Sequence, residues 1–267
     1  MSSFRTVEIS APQFTSNNLR FLTIKTSNLQ GRGDICLFIP EVDTEKALPI
    51  YILLHGVYGS AWSWALQGGA AQTAQNMMEA GQIQPAIIAM PSDGLWGDGS
   101  GYLAHHQRQF DQWIVEDVPL AIRENISCAS EASPLCVGGL SMGGYGALTL
   151  GARFPEKFKA ISAHSAITAL NQMPSFVEEP LTDYTTFTTQ NKAIDLIIEN
   201  QAKLPALRFD CGIQDDLIDA NRLLHQQLTQ ANIPHKYQEF PGGHEWIYWQ
   251  EHVQKTFLFF DQIINKK

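Results

Sequence analysis

The 267-residue sequence is short of basic residues and of cysteines, and both shortages exclude classes of protein. Lysine and arginine together number 18 against 27 acidic residues, which gives a formal net charge of −9, and the basic residues form no cluster. A protein that binds a phosphate backbone needs a basic face, so we expect no nucleic-acid partner. The four cysteines form no C-x-x-C pair, and we interpret them as small buried hydrophobic residues.

Long hydrophobic segments are also missing. No apolar run is long enough to span a bilayer, and the first residues lack the charged and apolar regions of a signal peptide. We therefore expect a cytoplasmic protein without a membrane partner, and the sequence favours no particular oligomeric state. With 44% hydrophobic and 17% charged residues, the chain can bury a large core, and its length suits a single α/β domain over residues 1–267.

Short apolar runs alternate with helix-like stretches along most of the chain. Strands are predicted at 4–9, 19–26, 34–39, 50–54, 86–90, 135–137, 158–162, 204–211 and 235–240. Helices are predicted at 64–80, 110–125, 147–154, 191–201, 216–230 and 246–264, with Pro119 expected to kink the second or to begin a new one. This order predicts a mostly parallel, twisted sheet with helices on both faces and an antiparallel N-terminal edge.

A Gly-x-Ser-x-Gly pentapeptide at 139–143 is the most informative motif, because it lies between a predicted strand and a predicted helix. The flanking glycines let two backbone segments approach closely at such a turn. A serine at its apex presents its hydroxyl above the sheet, and the N–H of the next residue faces any anion that forms there. We therefore predict Ser141 as a nucleophile and the Met142 N–H as an oxyanion donor.

A serine nucleophile needs a base, and the base needs an acidic partner. His244 is the best-placed base, because it lies in a glycine-containing turn after the strand predicted at 235–240. The loop after Cys211 offers Asp215 and Asp216. Because Asp216 abuts the next helix, where aspartate is a common N-cap, we assign Asp215 to the histidine and Asp216 to the cap. The resulting chain order of serine, aspartate and histidine is that of an α/β-hydrolase.

A second glycine-rich turn, at 55–59, follows the strand predicted at 50–54 and can supply another oxyanion donor. We predict that the Val57 N–H has this role and that His55 holds the loop. The adjacent His105 and His106 are expected to point apart. No third ligand with metal spacing accompanies them, so neither a metal nor a cofactor is expected.

These motifs together resemble the esterase D-like branch of the α/β-hydrolase superfamily, closest to its tributyrin-esterase and feruloyl-esterase members. The matching pieces are Leu53-Leu54-His55-Gly56, the sequence Gly139-Leu140-Ser141-Met142-Gly143-Gly144-Tyr145-Gly146-Ala147, Cys211-Gly212-Ile213-Gln214-Asp215 and Gly242-Gly243-His244-Glu245-Trp246. The resemblance implies an α/β-hydrolase fold, cofactor-free hydrolysis of a small ester through an acyl-enzyme, and Asp215 as the acid. S-formylglutathione hydrolases of this branch usually carry a cysteine shortly after the oxyanion glycine, where this chain has Val57-Tyr58-Gly59-Ser60.

Several aromatic side chains in loops or at element ends are expected to contact the substrate, namely Tyr58, Trp62, Trp96 and Trp246. The polar, glycine-rich stretch 91–101 is expected to form one wall of the pocket. Asp93 and Asp98 there are less favoured candidates for binding sugar hydroxyls or Ca²⁺. The segment 166–190 breaks the strand–helix alternation and is long for a plain connection, so we predict a small cap that narrows the acyl side of the pocket.

The leading hypothesis is a serine carboxylesterase that acts on small acyl esters. Alternatives with the same residues are a feruloyl or acetyl-xylan type of carbohydrate esterase, an S-formylglutathione hydrolase and an acyltransferase. A catalytically silent binding module would have lost at least one of Ser141, Asp215 and His244, and the sequence retains all three.

Overall fold

The computed structural model describes residues 2–44, 46–184 and 192–266, and a large mixed sheet dominates them. Its strands are β1 Val7–Ile9, β2 Leu19–Thr26, β3 Gly31–Phe38, β4 Ile50–Leu54, β5 Ile87–Pro91, β8 Leu135–Leu140, β9 Phe158–His164, β10 Ala206–Gly212 and β11 Lys236–Phe240. A separate hairpin consists of β6 Ala104–His105 and β7 Arg108–Gln109. The order in the nine-stranded sheet is β1-β2-β3-β5-β4-β8-β9-β10-β11.

The α-helices are α1 Ala70–Glu79, α2 Phe110–Gln112, α3 Val118–Asn125, α4 Met142–Arg153, α5 Ala193–Glu199, α6 Ile218–Gln230 and α7 Trp246–Ile264. Two π-helical turns, Ser63–Gln67 and Trp113–Asp117, and short 3-10 turns such as Leu170–Ser175 accompany them. Within the described ranges, no helix is both long and apolar enough to cross a bilayer.

The pairing of the strands confirms the predicted topology. The strands β1, β2, β3 and β5 pair antiparallel in that order. From β5 onward, through β4, β8, β9, β10 and β11, each strand pairs parallel with the next. In a parallel sheet the carboxyl ends of the strands meet at one edge, and loops at that edge carry reactive groups. The loops after β4, β8, β10 and β11 therefore lie on the same side of the molecule.

Both faces of the sheet are covered, which explains why β4 and β5 are apolar at every position. In β4, Ile50, Ile52 and Leu54 contribute to one core, while Tyr51 and Leu53 contribute to the other. The helical segment 110–125, α4 and α6 cover the first face, and α1 and α7 cover the second. A strand that is buried on both sides loses the polar alternation of a half-exposed strand.

Three predicted helices differ most from the structure, and each of these differences has a local cause. The helix predicted at 64–80 is interrupted at Gly68 and Gly69, where Gly69 has a left-handed φ of 63°. The stretch 110–125 contains a π turn directly before Pro119, which lies in the first turn of α3. The helix predicted at 147–154 begins earlier, at Met142, because the turn at Ser141 leads directly into it.

Candidate active site

Ser141 lies at the tight turn between β8 and α4. Its backbone has φ 53° and ψ −119°, a conformation that non-glycine residues rarely adopt, and its N–H donates a 3.0 Å hydrogen bond to the His164 carbonyl. A Cβ on Gly139 would overlap the carbonyl of Gly143, and a Cβ on Gly143 would overlap the Leu54 carbonyl. The two glycines thus let the turn close against β4 and hold the serine in this strained conformation.

Three side chains from separate loops form one hydrogen-bonded chain. His244 Nε2 lies 3.0 Å from Ser141 Oγ, and His244 Nδ1 lies 3.0 Å from Asp215 Oδ2 and 3.1 Å from Oδ1. Because Nδ1–H donates to the carboxylate, Nε2 is left free to accept the serine proton. Ser141 and Asp215 are each 2% exposed, whereas the His244 side chain is 21% exposed and faces a cavity.

The two aspartates that the sequence offers have different surroundings. Burial by itself raises the pKa of Asp215, but the hydrogen bond and charge of His244, together with the Leu217 N–H, hold that pKa below its usual value. Asp216 is exposed. The expectation that Asp216 caps the next helix is wrong: α6 begins at Ile218 after an N-cap at Leu217, and the Leu217 N–H binds Asp215 Oδ1 at 2.8 Å. The Asp215 carboxylate therefore both orients His244 and accepts the N–H of Leu217, the residue before α6.

The loop that carries His244 packs against the carboxyl end of β10. Gly242, at φ 127°, donates its N–H to Gln214 Oε1 at 2.6 Å and accepts the Gln214 N–H at 3.0 Å. A Cβ on Gly212 would overlap the Gly242 carbonyl, so glycine is needed where the backbones meet. The Tyr248 ring lies beside Gly242, and its hydroxyl donates to Asp210 at 2.8 Å. These contacts fix the loop from both sides.

The two predicted oxyanion donors lie beside the serine with their N–H groups unused. Among the described residues, neither the Val57 nor the Met142 N–H donates a hydrogen bond, while the neighbouring Tyr58 N–H donates to the Asp98 carbonyl at 2.7 Å. His55 holds this turn, as expected: its Nδ1 donates to the Gly56 carbonyl at 2.7 Å, and its Nε2 accepts the Asp93 N–H at 3.1 Å. The turn is thus held in place with one donor available.

A cavity of about 460 Å³ opens over the serine. Its lining residues are Gly56, Val57, Tyr58, Gly59, Leu140, Ser141, Phe176, His244, Glu245, Trp246 and Trp249. The structure brings Tyr58 and Trp246 to this cavity, and both Trp62 and Trp96 lie outside its lining. Trp62 is 47% exposed to solvent, and Trp96 packs edge-on against His105 at 4.5 Å between ring centres.

Glu245 and Trp249 also line the cavity, and sequence reasoning did not place them there. Trp249 lies three residues after Trp246 in α7, so both side chains occupy one face of that helix. The same spacing was visible in the sequence and could have placed Trp249 beside Trp246. Its ring also meets the His244 ring at 90° and 5.0 Å, and is 5% exposed.

The described part of the predicted cap, residues 166–184, packs against the core and reaches the cavity through Phe176. The Phe176 ring lies 5.4 Å from the His244 ring, and its carbonyl accepts a hydrogen bond from the Tyr58 hydroxyl. Met173, Val177 and Tyr184 are buried. Phe187, another apolar residue of the predicted cap, lies outside the described residues.

The loop 91–101 does not line the cavity, so the prediction that it forms one wall of the pocket is wrong. It instead supports the turn at 55–59 through the hydrogen bonds of Asp93 and Asp98 described above. None of its residues lines the cavity. Asp93 is 2% exposed, and its carboxylate accepts the N–H groups of Leu95 and Ser100 at 2.9 and 2.6 Å. Asp98 accepts the Glu178 N–H at 2.8 Å. The Asp93 carboxylate thus holds the backbone of its own loop, and the Asp98 carboxylate holds the backbone of the predicted cap.

His105 and His106 do not point apart as expected. His105 ends β6 and His106 begins the hairpin turn with a left-handed backbone at φ 50°, and their Nδ1 atoms lie 3.1 Å from each other. Among residues 2–44, 46–184 and 192–266, no group of three or more His, Cys, Asp or Glu side chains is arranged to hold a metal ion.

A buried polar network lies between the sheet and α7, beneath the site. His164 Nδ1 lies 3.0 Å from Asp210 Oδ1, and His164 Nε2 lies 2.7 Å from Thr256 Oγ1. Arg208 pairs with Asp210 and donates to Ser162 Oγ at 3.0 Å. All five residues are at most 1% exposed. The network connects β9, β10 and α7 just below the loops that carry Ser141 and Asp215.

Comparison with known proteins gives a family and a fold. A model of the Esterase family, described as "Putative esterase", matches residues 26–260. An acetyl esterase of Caldicellulosiruptor saccharolyticus is 24% identical over 245 residues, which cover 85% of this chain and 88% of the relative. An esterase of Mycobacterium tuberculosis is 26% identical over 191 residues, 60% of this chain, and the match spans only 42% of that protein.

A solved structure of a ferulic acid esterase has the same fold. It superposes with a TM-score of 0.79 over 97% of this chain and 99% of its own, at 22% sequence identity. Strand order and helix placement therefore agree with an α/β-hydrolase fold.

Proposed function

The chain belongs to the Esterase family of carboxylic ester hydrolases, and we propose that it cleaves small acyl esters through a covalent intermediate on Ser141. The observation that carries the proposal is the unbroken chain from Ser141 Oγ through His244 to Asp215, each link near 3.0 Å, at the floor of an open cavity. A serine hydroxyl is a weak nucleophile at neutral pH, and this arrangement supplies the base that activates it.

Acylation begins when Ser141 Oγ attacks the ester carbonyl while His244 Nε2 takes its proton. Asp215 keeps Nδ1 protonated and stabilises the imidazolium that forms. The carbonyl oxygen becomes an oxyanion, which the N–H groups of Val57 and Met142 stabilise. Neither N–H donates a hydrogen bond within the described residues, so both are free to bind the oxyanion when the charge develops.

Collapse of this intermediate transfers the proton from His244 to the leaving alcohol and leaves an acyl group on Ser141. Water then enters, His244 removes one of its protons, and the same donors stabilise the second oxyanion. Release of the acid returns the proton to Ser141. The reaction consumes one ester and one water and needs no cofactor in this scheme.

The cavity walls favour small acyl groups. Phe176 lines the cavity and places an aromatic ring beside His244, so we assign residues 166–190 to a cap within a single domain, 1–267. Tyr58 and Trp246 are the substrate contacts in this proposal. Acetyl to butyryl esters are expected to react faster than octanoyl esters.

Labelling with a fluorophosphonate tests the nucleophile directly. The probe should modify Ser141 of the wild-type protein, and Ser141→Ala should lose labelling and lower kcat by at least about a thousandfold while leaving the unfolding transition unchanged. Ser16→Ala, at an exposed position, is the matched control. Labelling of another serine, or a kcat near the wild-type value in Ser141→Ala, would contradict the proposal.

A further inference from the structure

The charged residues around the cavity are acidic. The segments that build or brace the site are 55–68, 91–103, 166–184, 213–219 and 241–251, and none of them contains a lysine or an arginine. Glu245 lines the cavity itself, and Glu178 lines a second cleft of about 370 Å³ that shares Tyr58 and Phe176 with it. A one-signed field at a site concentrates ligands of the opposite charge and repels those of the same charge.

The walls of the cavity are aromatic. Tyr58, Phe176, Trp246 and Trp249 all line it, together with Glu245. The face of an aromatic ring carries a partial negative charge, and a cation within about 6 Å of the ring centre is stabilised, most strongly over tryptophan. Clusters of such rings recognise quaternary ammonium groups, which cannot form ordinary hydrogen bonds.

The positions of two wall residues indicate which part of the substrate meets the acidic and aromatic groups. Glu245 and Trp246 directly follow His244 in the chain. In the mechanism above, His244 delivers the proton to the leaving alcohol. The neighbours of the histidine are therefore placed to contact the alcohol, while Phe176 extends from the cap.

We propose that this site selects esters whose alcohol part carries a positive charge, with a quaternary ammonium as the best fit, and disfavours esters with an anionic alcohol part. This inference rests on the proposed ester hydrolysis at Ser141. Cleavage of a choline ester would release choline, whose oxygen takes its proton from His244, and water would then hydrolyse the acyl-serine to the free acid.

Three acetate esters matched in size test the charge preference. Acetylcholine and 3,3-dimethylbutyl acetate differ only in a nitrogen cation replaced by carbon, and 2-sulfoethyl acetate supplies the anionic case. The kcat/KM of acetylcholine should exceed that of its carbon isostere by at least about tenfold at low salt, and the anionic ester should be the slowest. Raising the ionic strength should reduce the difference, because salt screens exposed charges. Equal values for the cation and its isostere would overturn the inference.

Substitutions locate the preference. Glu245→Gln and Trp246→Leu should each lower the ratio of kcat/KM for acetylcholine over 3,3-dimethylbutyl acetate by about threefold or more. Glu41→Gln removes an exposed carboxylate away from the cavity lining and should leave this ratio unchanged. A ratio that is unaffected by both cavity substitutions would contradict the assignment of these walls.

Binding of the alcohols separates this inference from the proposed function. Choline should bind the wild-type protein at least about tenfold more tightly than 3,3-dimethylbutan-1-ol in isothermal calorimetry. If no acetate is cleaved but choline still binds preferentially, ester hydrolysis fails and the charge preference stands. If both esters are cleaved alike and both alcohols bind alike, the enzyme remains an esterase and the charge preference is wrong.

Discussion

Asp215 and Asp216 show how neighbouring residues of one type acquire separate roles. The buried Asp215 binds His244, whereas the exposed Asp216 faces solvent. We expect Asp215→Asn to lower kcat by about 10⁴-fold, because the neutral amide no longer holds the histidine in its productive tautomer. Asp216→Asn should change kcat less than twofold. Steady-state kinetics on one short-chain ester checks both.

The two variants also differ in what they do to the fold. Asp215→Asn keeps an oxygen that can accept the Leu217 N–H, so its unfolding free energy should fall by no more than about 1–2 kcal/mol. Similar kinetic losses in both variants, or a larger loss in Asp216→Asn, would mean that the wrong carboxylate is assigned to the histidine.

At the scale of single elements, the turn between β8 and α4 allows no side chain on its second glycine. A Cβ in Gly143→Ala would overlap the Leu54 carbonyl and approach the His55 carbonyl to 2.5 Å. We expect the unfolding free energy to fall by about 1–3 kcal/mol, and kcat to fall with it, because the displaced backbone belongs to the turn that carries Val57. Urea denaturation and steady-state kinetics measure the two effects.

Gly31→Ala is the matched control for that substitution. Its nearest contact would be the Leu29 carbonyl at 3.5 Å, an ordinary van der Waals distance. Gly31→Ala should therefore change neither activity nor stability by a comparable amount. Wild-type activity in Gly143→Ala would show that the turn can relax without moving the oxyanion loop.

The cap makes a separate prediction at the same scale. Phe176→Ala removes the ring beside His244 and enlarges the cavity. The ratio of kcat/KM for p-nitrophenyl octanoate over acetate should rise by at least about tenfold. Phe14→Ala, at a side chain that is 85% exposed outside the cavity lining, is the control. An unchanged chain-length preference in folded Phe176→Ala would remove the cap from substrate selection.

The elements of the site could largely be predicted from the sequence, because strand, glycine turn and helix are local signals. The alternation also predicted the sheet and the edge where the loops meet. What failed depends on contacts distant in sequence: Asp98 accepts the Glu178 N–H, and Trp96 packs against Tyr184. The composition of such a loop predicts whether the loop is exposed or buried. It does not predict which distant segment the loop contacts. The local rule for helix caps likewise selected Asp216, although Leu217 holds that position.

For the molecule as a whole, the buried network between the sheet and α7 makes stability depend on pH. Burial raises the pKa of Asp210, but the charges of His164 and Arg208 and their hydrogen bonds outweigh it and hold this pKa well below its usual range. Asp210→Asn leaves Arg208 buried without its anion, so we expect the unfolding free energy at pH 7 to fall by about 3–5 kcal/mol.

The direction of the pH effect follows from the lowered pKa. The unfolded chain takes up a proton on this carboxyl near pH 4, whereas the folded protein resists it to lower pH. The stability from Asp210 is therefore complete above about pH 5 and is lost as the pH falls from about 4 toward the folded pKa. Urea unfolding at pH 7, 5 and 3.5 should show a wild-type advantage over Asp210→Asn that shrinks only at the lowest pH. Asp43→Asn, at an exposed position, should show no such trend.

The same network has a consequence for recognising catalysts by shape. Asp210, His164 and Thr256 repeat the order of carboxylate, imidazole and hydroxyl, with spacings of 3.0 and 2.7 Å. A search that compares only interatomic distances would therefore return this arrangement as well as that of Asp215, His244 and Ser141. Ser141 lines an open cavity, whereas Thr256 is fully buried. A reagent that reacts with hydroxyl groups and diffuses in from solvent should therefore form a single adduct per molecule. Access from solvent, and not the spacing of the three groups, therefore distinguishes the proposed catalytic set from its buried counterpart.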